Sequence, residues 1–84
     1  MAVIRSGKYV ATNPRSIAGA VKRGWHVVEP SQHYGPKYNV SWLGLVIWTE
    51  RNANGNWLSD YSKRQFAFDC VEDASKFLFA WGLR

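Results

Sequence analysis

The most regular pattern of apolar and polar positions lies at the end of the chain. Ala74, Phe77, Leu78 and Trp81 recur at i, i+3, i+4 and i+7, the period of one buried helix face, and Gly82 supplies a stop. Asp69 and Glu72 have the spacing of an acidic capping box, and with Asp73 they place three carboxylates where the helix dipole favours negative charge. Phe79 falls off the apolar stripe and projects with Glu72, Ser75 and Lys76, so it is either covered by another element or exposed for a partner. A second, shorter helix is expected over residues 14–23. Asn13 is its N-cap, Pro14 suits the first helical position and Gly24 ends it. Setting Ile17 at the centre of the buried face brings Pro14, Ala20, Val21 and Gly24 to the same side and leaves Arg15, Gly19, Lys22 and Arg23 opposite.

Strand patterns fill most of the remainder. Residues 3–11 are rich in β-formers broken at Ser6-Gly7, and Val27-Val28 after the helix stop points to another strand. Strand, short helix and strand predict a right-handed crossover between parallel strands. Residues 37–51 place Val40, Trp42, Val46 and Trp48 on one side and Leu43, Leu45 and Ile47 on the other. That pattern predicts a central strand, apolar on both faces, with Gly44 at a bulge. Asn54-Gly55 then suits a type I′ hairpin turn, and residues 57–61 return antiparallel. A second turn at residues 62–64 leads to residues 65–68, where Phe66 and Phe68 share a face. The reading is one α+β domain: a small three- to five-stranded, mostly antiparallel sheet with two helices packed on one face.

Composition narrows this picture. The chain has 84 residues, 46% of them hydrophobic, with five Trp, four Tyr and four Phe. There is room for a single core built largely from aromatic rings; a second domain is not expected, and so much apolar surface argues against disorder. Cys70 is the only cysteine, so no disulfide supports the fold. A lone thiol, and no signal-like stretch after Met1, lead us to expect the reducing cytoplasm. The longest apolar run is far shorter than the ~20 residues that span a bilayer, and no membrane partner is expected. The formal charge of +5 is uneven. Residues 1–42 hold Arg5, Lys8, Arg15, Lys22, Arg23 and Lys37 against Glu29 alone, while basic and acidic groups balance over residues 43–84.

Candidate chemistry is sparse. No phosphate-binding loop, dinucleotide fingerprint, HExxH motif or nucleophile elbow occurs, and two His with one Cys lack metal-ligand spacing. No catalytic residue, metal or cofactor is therefore expected. His33 has no paired carboxylate or nucleophile to use it, and Cys70 is expected to be buried or half-buried, and inert. Large aromatic side chains dominate interface energetics, which makes His33, Tyr34, Trp48, Trp57 and Phe79 candidate partner-binding residues. Core packing is the competing role for each ring; for Trp25, Trp42 and Trp81 it is the expected one. The basic residues Arg5, Lys8, Arg15, Lys22, Arg23 and Lys37 support an alternative, a nucleic-acid-binding helix face.

Phe66-Ala67-Phe68-Asp69, followed by Glu72-Asp73-Ala74, Phe77 and Trp81-Gly82, resembles the close of small accessory proteins of tailed bacteriophages. The resemblance covers the C-terminal quarter of the chain and carries no catalytic residue. It implies a viral protein, acting in the host cytoplasm by binding a host or phage protein complex. The expected function is thus a small non-enzymatic protein-binding module, with nucleic-acid binding as the alternative. Homodimerisation through the hydrophobic central hairpin is a further expectation, because an uncovered sheet edge or face would seek a partner.

Overall fold

The computed structural model describes residues 3–5, 14–30 and 41–82. Among these, four strands, β1 (Val3–Arg5), β2 (His26–Val28), β3 (Trp57–Asp60) and β4 (Gln65–Phe68), form one antiparallel sheet in the order β1-β3-β4-β2. The helices are α1 (Ile17–Lys22), α2 (Trp42–Asn52) and α3 (Val71–Phe77), the last continued by a π-helical turn over Leu78–Gly82. The class is α+β, as expected.

The β3–β4 hairpin is the centre of the sheet. Its turn is closed by Asp60, whose carboxylate accepts from Ser62 Oγ–H at 3.0 Å and from Lys63 N–H at 3.3 Å. Arg64 completes the turn at φ 56°. Register assigns the faces: Trp57 pairs with Phe68 and Ser59 with Phe66 on one, Leu58 with Ala67 on the other. Val28 of β2 joins Phe66, and Val27 joins Ala67.

Each face has its own core. On one, Val28, Trp57, Phe66 and Phe68 pack against Leu45 and Val46 of α2 and Ala74 and Phe77 of α3. Phe66 is the hub, with its ring 4.6 Å from that of Phe77 and 4.9 Å from that of Trp42. On the other, Ile17 and Ala20 of α1 meet Leu58 and Ala67, with Trp25 and Val27 at the margin. Two helices do share one face, but they are α2 and α3. The helix expected from residues 14–23 covers the opposite face.

Three expectations are corrected. Residues 42–52 form a helix, not a central strand, so among the described residues they do not join 57–61 and 65–68 as a third antiparallel strand, and Asn54-Gly55 links α2 to β3 instead of turning a hairpin. Ser41 starts α2: its Oγ accepts from Gly44 N–H at 3.1 Å. Second, β1 and β2 are not a parallel pair. The hairpin inserts between them, leaving them at opposite edges with opposite directions. Third, α1 is shorter than expected, begins at the N-cap Ser16, and leaves Val21 and Gly24 exposed. Asn13 lies outside the described residues. The predicted stop does hold: Gly24 takes φ 79°, while Trp25 N–H donates to Ala20 O and Gly24 N–H to Val21 O, each at 3.0 Å, a Schellman ending.

Candidate protein-binding surface

α3 carries the apolar stripe read from the sequence. Ala74 and Phe77 are buried, and Leu78 and Trp81, in the π-helical turn, are half-buried against the same core. Trp48 of α2 meets this edge at right angles, its ring 6.0 Å from Trp81 and 6.1 Å from Phe77. The outward side of α3 differs. Phe79 is 83% exposed and Val71, two turns earlier, is 53% exposed. With Trp48, Glu72 and Lys76 they line an open groove of about 810 Å³, enough for side chains of a docking segment.

The polar residues of the groove are already positioned. Lys76 Nζ donates to Asn52 O at 2.7 Å, tying α3 to the last turn of α2, and lies 3.8 Å from Asp73 Oδ1. Glu72 Oε1 accepts from the Cys70 thiol at 2.9 Å. That bond, with a second from its own backbone N–H, holds the Glu72 carboxyl below the usual range. The expected capping box therefore does not form. Cys70 is the N-cap and makes no side-chain cap bond. Asp69 instead accepts from Asn56 N–H at 3.0 Å and Asn56 Nδ2–H at 3.2 Å. Asp73, 2% exposed, accepts from Asn54 N–H at 3.1 and 3.0 Å and from Gly55 N–H at 2.8 Å. Two of the three carboxylates hold the α2–β3 connection rather than the start of α3.

Of the candidate partner-binding residues, Phe79 and Trp48 meet at one groove. Trp48 does so from a helix, not from beside a hairpin. Trp57 is corrected: at 3% exposure in β3, opposite Phe68, it is core and can reach no partner. His33 and Tyr34 lie outside the described residues. Val71 was not singled out from the sequence, although its spacing of eight residues from Phe79 puts the two on one side of a helix. Arg15, Lys22 and Arg23 are exposed on the far side of the sheet, and Arg5 stands opposite Leu58 in edge strand β1. Lys8 and Lys37 lie outside the described residues.

Cys70 is half-buried, as expected. Among the described residues no group of three or more His, Cys, Asp or Glu side chains could hold a metal ion, and no helix is long and apolar enough to cross a membrane. Set against known protein families, curated proteins and solved structures, the chain matches none of them.

Proposed function

We propose that this chain is a non-enzymatic protein-binding module that docks a protein partner in the α3 groove, with Phe79 as the anchor. The observation that carries the reading is the 83% exposure of Phe79 beside Trp48, Val71 and a fixed polar rim. An aromatic residue held in water has apolar area to bury on a partner, and the Lys76 and Glu72 heads already have bonds that need not be broken. Host or phage protein complexes, which the resemblance of residues 66–82 suggests, are the partners to try first.

The test is affinity capture followed by titration of the purified partner. Burying a Phe side chain contributes about 1.5–3 kcal/mol, so Phe79→Ala weakens binding about ten- to a hundredfold. As a surface change it shifts stability by no more than about 0.5 kcal/mol. Equal binding by the variant, or loss of its fold, overturns the reading. Nuclease treatment of the extract should leave capture unchanged.

A further inference from the structure

The sheet separates charges as well as cores. On the side covered by α1, Arg15, Lys22 and Arg23 are all exposed, and residues 14–28 contain no carboxylate. Neither Arg15 nor Lys22 is paired with an acidic side chain among the described residues. The two carboxylates near this side are engaged at the hairpin end: Asp60 is buried and bonded within its turn, and Glu29 accepts from Gln65 Nε2 at 3.1 Å. The other described carboxylates, Glu50, Asp69, Glu72 and Asp73, belong to α2, α3 and the connections beside them. The layer around α1 thus presents three exposed cations and one exposed carboxylate, Glu29, and backs onto one that holds Glu50, Asp69, Glu72 and Asp73.

We infer that the exposed side of α1, with Arg15 before its start and Arg23 at its end, is a second binding surface, for the phosphate backbone of a nucleic acid. Backbone binding draws on cations alone, and two of the three are arginines, whose planar donors suit phosphate oxygens. The exposed apolar residues of α1 are Ala18 and Val21, too little to anchor a membrane helix or to serve as the hot spot of a protein interface. The inference does not depend on the α3 groove, which lies across the sheet.

Fluorescence anisotropy with a 20-base-pair DNA duplex tests it. Three neutralised phosphates give a slope of about −2.7 for log affinity against log salt, so binding weakens roughly 40-fold between 50 and 200 mM salt. The triple variant R15E/K22E/R23E abolishes binding. R15Q/K22Q/R23Q, which adds no negative charge at the end of α1, weakens it and flattens the slope. Phe79→Ala binds the duplex as the parent does. No binding by the parent chain at 50 mM salt overturns the inference, as does unchanged affinity in both triple variants. It is also overturned if the triple variants lose only binding to phosphatidylserine vesicles, or if Phe79→Ala loses the duplex.

Discussion

Asp73 accepts the backbone N–H groups of Asn54 and Gly55 from a buried position and lies beside Lys76, whose ammonium caps Asn52. One side chain therefore joins α3 to the α2–β3 connection. Asp73→Ala leaves two part-buried donors without an acceptor and is expected to cost about 2–4 kcal/mol in urea unfolding, with Asp73→Asn, which keeps one acceptor oxygen, in between. Gly55 belongs to the same connection, since a Cβ there would run into the Asp69 carboxylate. The Asp69, Glu72, Asp73 cluster is plain in the sequence, but its bonding is not. The donors held by Asp69 and Asp73 come from residues 13 to 19 positions away, beyond the reach of any local motif. Phe79 was legible for the opposite reason: its place off the apolar stripe follows from helix geometry alone.

Misreading α2 as a strand has a definite cause at the scale of the element. From Trp42 to Trp48 every position but Gly44 is large and apolar, so an alternating and a helical template both find partners. The structure selects Trp42, Leu45, Val46 and Thr49, an i, i+3, i+4, i+7 set that packs on the sheet, and leaves Leu43 and Ile47 exposed. Thr49 reads as polar in sequence, yet it is fully buried because its hydroxyl donates to Leu45 O at 2.8 Å. Ser41 was the overlooked helix start. Ser41→Ala removes its bond to Gly44 N–H and is expected to lower stability by about 1 kcal/mol in chemical denaturation. If residues 42–52 were a strand, that change would cost nothing. α3 was read correctly because its stripe is interrupted by charged residues, which leaves one template only.

For the whole molecule, the decisive feature is a sheet clad on both faces, with α1 on one and α2 and α3 on the other. The two cores share strands but not side chains. Ile17→Val, on the α1 side, should cost about 0.5–1.5 kcal/mol, and Leu45→Ala, across the sheet, about 2–5 kcal/mol. Their effects should add within about 0.5 kcal/mol in urea titrations of the double variant, and a larger coupling would show a single shared core. The same partition keeps the Phe79 groove and the basic face of α1 apart, so each can be altered without the other. By itself the sequence determined what local periodicity and capping encode: an aromatic-rich α+β fold, the β3–β4 hairpin, the stop at Gly24, the stripe of α3 and the isolation of Phe79. Only the tertiary structure decided that residues 42–52 form a helix, that the hairpin separates β1 from β2, that Trp57 is core, and that the acidic cluster serves a distant connection. Those outcomes depend on which surfaces remain to be covered once the hairpin has formed, and apolar burial, being non-directional, is not written in the spacing of neighbouring residues.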